Sequence, residues 1–180
     1  MPKLYVVTGP SGTGLSDTLA ELFRLRPDLS AVLPVTSRRM KEGETDGIGF
    51  RFYDLEEWKA MKESGGFLET TEFAGNDYGT SRELVNELLN AGKNVLISLE
   101  PERAAQVKQN APESVCIWVE PSSEVLLRER FSQRARSERE IEVRLRTAAE
   151  QRSVSGFCDL RIAGDDPSAV LSALNEAIQA

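Results

Sequence analysis

Short apolar runs alternate with amphipathic stretches along the chain. Leu4 to Thr8 is apolar, β-branched and stopped by a glycine- and proline-containing cluster, the pattern of a buried strand. A turn-rich stretch, Gly9 to Gly14, follows. Leu19, Leu22, Phe23 and Leu25 then share one side of a helix predicted over about Ser16 to Leu25. A second apolar run, Ala31 to Val35, gives way to a polar, glycine-rich loop at 36–49. Phe50 to Tyr53 reads as a short strand, and Asp54 to Glu57 as a capping box opening a helix to about Glu63. Phe67 to Phe73 predicts a strand and Asn76 to Gly79 a tight turn or short strand. Thr80 to Glu83 is a second capping-box pattern, for a helix to Asn90 with Gly92 just beyond its end. Strands at Val95 to Leu99, Val115 to Val119 and Leu160 to Ile162 then alternate with helices. The helices run from Pro101 to Gln109, Ser122 to Phe131, about Glu138 to Val154, and Pro167 to Ala180. This alternation implies an α/β fold with a mostly parallel sheet covered on both faces. The shorter, hairpin-like elements of 32–80 mark a separate lobe, and no internal repeat or low-complexity tract interrupts the chain.

Composition narrows the chemistry. The 180 residues suit one domain, which buries roughly 70% of its unfolded surface and needs no staple. A net charge of −7 opposes coating of DNA or RNA. The chain has no histidine, which removes histidine general bases, Ser-His-Asp schemes and histidine-ligated metals. Cys116 and Cys158 are far apart in sequence and form no C-x-x-C motif, so buried, reduced thiols are expected. The N-terminal apolar run is too short for a signal core or a membrane span, so a cytoplasmic, unanchored protein is expected.

The stretch Gly9, Pro10, Ser11, Gly12, Thr13, Gly14, Leu15, Ser16 nearly fits G-x-x-x-x-G-K-[ST]. In that motif glycines let backbone N–H groups approach phosphate, lysine reaches the outer phosphates and the hydroxyl holds magnesium. Leucine stands at the lysine position. Asp17 suits a helix dipole but repels a polyphosphate at the same helix end. Glycine spacing alone is a weak signal, but the loop's place between a strand and a helix favours a phosphate-loop descendant over a plain tight βα turn.

The motifs taken in order are more specific. The loop is followed by Thr36-Ser37-Arg38, Gly43-Glu44, Asp46-Gly47, Phe67-Leu68-Glu69, and Gly75 to Ser81 with its Tyr-Gly-Thr-Ser ending. Together they resemble guanylate kinase along essentially the whole chain. The resemblance implies a P-loop nucleoside-monophosphate-kinase-like core (about 1–31, 81–131 and 139–180), a monophosphate lobe (about 32–80) and a lid (about 132–138). It puts GMP-phosphate ligands on Arg38, Lys41 and Tyr78, with Phe50 where the family has a second tyrosine. It puts the guanine-reading acid on Glu69, the small hydroxyl residue near the base on Thr80, and proline at 34 where relatives often have serine. The family's Asp-x-Asp followed by glutamine falls on Ser98, Glu100 and Glu102, so only Glu100 keeps a carboxylate that could order magnesium's waters. The eight arginines between Arg128 and Arg152 resemble the lid and its flanking helices, with Arg130, Arg134 and Arg144 matching the phosphoryl-clamping arginines.

Glu69 can accept from guanine N1–H and N2–H, and Arg38 can fork onto phosphate, whereas Lys41 supplies only a point charge. As alternatives, Arg38 and Glu69 could pair with each other, Tyr78 could simply pack, and many of the arginines could form solvated helix pairs with the interspersed glutamates. The changes at Leu15, Asp17 and Ser98 cluster on the donor side. They point to a protein that binds GMP or a related guanine nucleotide with phosphoryl transfer lost or impaired. An active guanylate kinase with an unusual donor site and a protein-binding module on the same fold remain as alternatives. ATP binding stays open, magnesium at Ser16 is expected only with ATP, and a protein partner is compatible with each reading; no nucleic acid or membrane partner is expected.

Overall fold

The computed structural model describes residues 1–10, 13–133 and 137–179. A five-stranded parallel sheet is ordered β2-β7-β1-β8-β9, formed by β1 (Leu4–Thr8), β2 (Leu29–Ser30), β7 (Asn94–Ser98), β8 (Val115–Glu120) and β9 (Leu160–Ala163). A second sheet is ordered β4-β3-β6-β5, from β3 (Val35–Thr36), β4 (Arg51–Phe52), β5 (Phe67–Phe73) and β6 (Asn76–Ser81). In it β3 pairs parallel with β4, and β6 lies antiparallel to both β3 and β5.

Helices cover both faces of the parallel sheet, as its apolar strands require. On one face, α1 (Leu15–Leu25) and α7 (Pro167–Gln179) bury Leu19, Leu22, Val170 and Leu174 against Tyr5, Val7, Leu96 and Ile117. On the other, α3 (Arg82–Asn90) and α4 (Pro101–Asn110) bury Val85, Ala104 and Val107 against Leu4, Val6, Val95 and Ile97. The helices α5 (Glu124–Ser132) and α6 (Glu138–Ser153) pack on each other through Leu127, Phe131, Ile141 and Leu145. The remaining helix, α2 (Leu55–Glu63), closes its first turn with the capping box expected of Asp54 and Glu57. Its Trp58 stacks on Phe67, ring centroids 4.3 Å apart, beside Val35.

Two local expectations give way to tertiary constraints. The apolar run Ala31 to Val35 is not one strand. Only Val35 joins β3, and the preceding residues carry the chain from the first sheet to the second. The helix-opening cap at 80–83 falls one residue later: Ser81 Oγ accepts from Leu84 N, which leaves the Thr80 hydroxyl inside β6 for another partner. Cys116 and Cys158, distant in sequence, are neighbours in space, since Asp159 N bonds Cys116 O across the β8–β9 ladder. The adjacent Cys158 side chain and burial both push the Cys116 thiol pKa up. Among the described residues no helix is long and apolar enough to cross a membrane.

Leu174 is fully enclosed between α7 and the sheet. Leu174→Ala is expected to lower unfolding free energy by about 2–5 kcal/mol in a denaturant titration, with the slope of the transition unchanged.

Candidate functional site

Ligands of open parallel sheets bind beyond the carboxyl ends of the strands, and the loop leaving β1 stands there. Gly9 is required by close approach: a Cβ there would lie 2.0 Å from Val119 O. Gly14 takes φ +75, a left-handed turn that delivers the chain into α1 with no side chain capping its first N–H groups. Ser16 and Asp17 are exposed at this helix end. The Leu15 side chain packs against the hydrophobic core under β1 instead of offering a charge to the loop. A recess of about 320 Å³ is lined here by Thr13, Leu15, Ser16, Ser98 and Glu100. Arg130 reaches its rim, donating to Thr13 O at 3.2 Å and Asp165 O at 2.5 Å. Arg144 is occupied with Glu140 at 2.7 Å and lies over the Phe131 ring. Ser11, Gly12 and Arg134 lie outside the described residues.

A larger cleft, about 740 Å³, opens between the carboxyl end of β7 and the second sheet. Pro34, Phe50, Tyr78, Thr80, Glu100 and Arg103 are among its lining residues. Near its Phe50–Tyr78 side, the Arg38 guanidinium lies 5.6 Å from the Phe50 ring centre and 5.3 Å from that of Phe52. Glu44 holds Arg38 in a two-point bond, at 2.9 and 2.8 Å. Phe50 and Tyr78 face each other at 6.0 Å. Lys41 is exposed, and its backbone N–H donates to Glu44. Bonds from Arg38 and from Lys41 N–H pull the Glu44 carboxyl down to about 2.

Glu69 sits at the other end of the second sheet's long hairpin. A bulge between Phe67 and Glu69 shifts the β5–β6 register and brings Glu69 directly opposite Thr80. Thr80 Oγ1 donates to Glu69 Oε1 at 2.7 Å. Arg103, in the first turn of α4, donates from Nε to Oε2 at 2.6 Å and from Nη2 to Oε1 at 2.8 Å. The Glu69 side chain has no exposed surface, whereas that of Arg103 keeps 21% of its own. Two further α4 residues one helical turn apart extend the same face along β5: Gln106 accepts from Thr70 N and Asn110 donates to Leu68 O. Burial disfavours the Arg103 charge, but the bond to Glu69 and the proximity of Glu100 outweigh it and raise the guanidinium pKa.

The structure therefore brings Arg38, Phe50 and Tyr78 together, and Glu69 with Thr80. Arg38 and Glu69 do not pair; each has its own partner. Glu69 lies behind the cleft wall, and Arg103 and Thr80 form the wall in front of it. Sequence reading missed Arg103, and it named Glu44 in the ordered motifs without giving it a role. For Arg103 a signal existed, because a cation in the first turn opposes the helix dipole and implies a carboxylate nearby. Among the described residues no cluster of three acidic or sulfur side chains could hold a metal alone. The oxygens around the loop recess, from Ser16, Ser98 and Glu100, suit magnesium only when a polyphosphate completes the shell.

A glycine-turned loop entering a helix beside a parallel sheet, with a cleft against a smaller sheet, defines an α/β protein of the P-loop kinase class. A shikimate kinase structure from Bacteroides thetaiotaomicron shares the fold at TM-score 0.51 and 10% identity, covering 99% of each chain. The family model for guanylate kinase matches residues 1–180, and the chain belongs to that family. Guanylate kinase from Synechococcus sp. (strain CC9311) is 37% identical over 95% of this chain and 90% of its own. The Desulfitobacterium hafniense (strain Y51) guanylate kinase is 37% identical over 91% of this chain and 82% of its own. The crystal structure of guanylate kinase from Anaplasma phagocytophilum superposes at TM-score 0.68 and 22% identity, covering 99% of this chain and 85% of that one.

Glu44 is ionised more readily folded than unfolded, so its bond to Arg38 contributes stability above its ordinary value of 4.5 and loses it as pH falls toward 2. A carboxyl-detected NMR titration is expected to place Glu44 near 2 and, in Arg38→Ala, back toward 4.5.

Proposed function

We propose that this guanylate kinase family member binds a guanine mononucleotide in the cleft between its two sheets and transfers phosphoryl groups to it poorly. The observation that carries the reading is Leu15. An ATP-using loop aims a cation at the outer phosphates, and here that position carries a half-buried apolar side chain that packs against the core and lines the recess. Asp17 adds negative charge at a helix end that otherwise attracts anions, and Ser98 leaves Glu100 as the sole carboxylate around the loop recess apart from Asp17. On the acceptor side the chemistry is retained. Arg38, pre-oriented by Glu44 and the rings of Phe50 and Phe52, supplies a guanidinium for the nucleotide phosphate, which shares its Nη1 and Nη2 with Glu44 or displaces that carboxylate. Tyr78 adds a hydroxyl and Lys41 a mobile charge. The base then occupies the end lined by Thr80, in front of Glu69. If ATP enters, its magnesium would be held by Ser16 and Glu100 together with the phosphates, and the ion would supply charge neutralisation.

One observation favours the second reading, an active kinase. Arg130 places a guanidinium against the loop backbone at Thr13, and a cation there could serve in place of the missing lysine.

The test is calorimetric titration with GMP, AMP and ATP, together with a coupled assay of ADP release. GMP is expected to bind and to raise the melting temperature more than AMP does. Loss of one charge-assisted contact to the transition state costs about 10²–10³ in rate, so turnover near the detection limit is expected. Leu15→Lys should strengthen ATP binding, while substantial turnover should also need Asp17→Thr and Ser98→Asp. Wild-type turnover of a few per second or more (roughly the normal range for a kinase) would establish the active-kinase reading instead.

A further inference from the structure

The base end of the cleft has an unexpected polarity. The carboxylate there accepts three bonds, two from Arg103 and one from Thr80, and has no exposed surface. A ligand cannot reach it without first parting a buried, doubly hydrogen-bonded ion pair, and the cation so released would lose its partner. What faces the cleft is Arg103 itself. Its Nε and Nη2 are committed to Glu69 side-on. The far edge of the guanidinium, carrying the Nη1 hydrogens and the second Nη2 hydrogen, is turned away from that carboxylate. There its ion-pair partner is the exposed Glu100, Nη1 to Oε2 at 3.5 Å.

We propose that Arg103 is the base-reading residue of this protein and that Glu69 acts behind it as a positioning residue. The proposal rests on the mononucleotide-binding reading and deepens it by naming what is recognised. A guanidinium edge donates two parallel N–H groups, and the matching pair of acceptors on a purine is O6 with N7. The site so built accepts 6-oxopurine nucleotides as a class. The sealed Glu69 does not accept from the 2-amino group, and the other carboxylates lining the cleft, Glu72, Glu100 and Glu102, are exposed and give that group no buried acceptor. It disfavours 6-aminopurines, whose amino group meets a donor with a donor. Side-on pairing with Glu69 fixes the plane of the guanidinium, and the bulge in β5 fixes Glu69. The α4 contacts through Gln106 and Asn110 hold helix and strand in register.

The experiment is titration calorimetry of GMP, IMP and AMP on the wild-type chain, which needs no variant. GMP and IMP are expected to agree within about three-fold, with AMP at least ten-fold weaker, about one bidentate contact. Arg103→Lys keeps a cation against Glu69 but lacks the paired edge. It should weaken GMP and IMP about ten-fold and leave AMP unchanged, narrowing the 6-oxo preference without loss of the fold by circular dichroism. Glu69→Gln should narrow the same preference, a change that a purely structural role would not produce. GMP binding ten-fold or more tighter than IMP overturns the proposal while leaving the guanine reading intact, because only an acceptor such as an uncovered Glu69 reads the 2-amino group. An unchanged GMP-to-AMP ratio in Arg103→Lys overturns it also. Equal binding of GMP and AMP by the wild type removes the guanine reading and this proposal with it, and binding of neither removes the mononucleotide reading as well.

Discussion

The buried pair between Glu69 and Arg103 joins the two halves of the molecule. Glu69 belongs to an edge strand of the small sheet and Arg103 to a helix that packs on the large one. Burying a carboxylate is costly unless its lone pairs are filled, and here three donors fill them. That requirement fixes where α4 lies against β5. It also explains why the strand is bulged at 67–69, since without the register shift Glu69 would not stand opposite Thr80. The cleft is bounded by these same elements, so its width at one end follows from a hydrogen-bond count.

At the cleft's other end the polar groups are ordered by a different device. Arg38 is held by Glu44 from a neighbouring loop and lies near two phenylalanine rings. The carboxylate partner offsets the cost of holding the guanidinium beside two apolar rings. A phosphate bound as proposed would share Arg38 with Glu44 or displace it, so the orientation of the arginine is gained at some loss of net attraction.

Much of the architecture was legible because strand and helix periodicities differ and the punctuation was clear. LYVVT before a glycine cluster, the Asp54–Glu57 box and Pro101 at a helix start all took the form expected. The failures have physical causes. Ala31 to Val35 is apolar because it lines a cleft and crosses between sheets, and burial of that kind has no period. Thr80 looked like a cap because a hydroxyl three residues before a glutamate is a local signal, yet a buried carboxylate across the ladder claimed it. The grouping of Arg38, Phe50 and Tyr78 was accessible only through a resemblance, since no local pattern relates residues forty positions apart. The partnership of Glu44 with Arg38, and Arg103 altogether, were not legible because charged residues in a loop and on a helix surface ordinarily face water.

The contact between Gly9 and Val119 O bears on how such a protein can change over time. The exit of the loop from β1 is pinned by backbone packed on backbone, and its entry to α1 by the left-handed turn at Gly14. Neither constraint involves a phosphate. Where the chain leaves β1 and where it enters α1 are therefore set by folding alone, with no ligand needed to hold either point. The two ends of the turn can thus persist whatever chemistry the side chains between them carry, so its shape at Gly9 and Gly14 is a property of the fold and not a measure of activity.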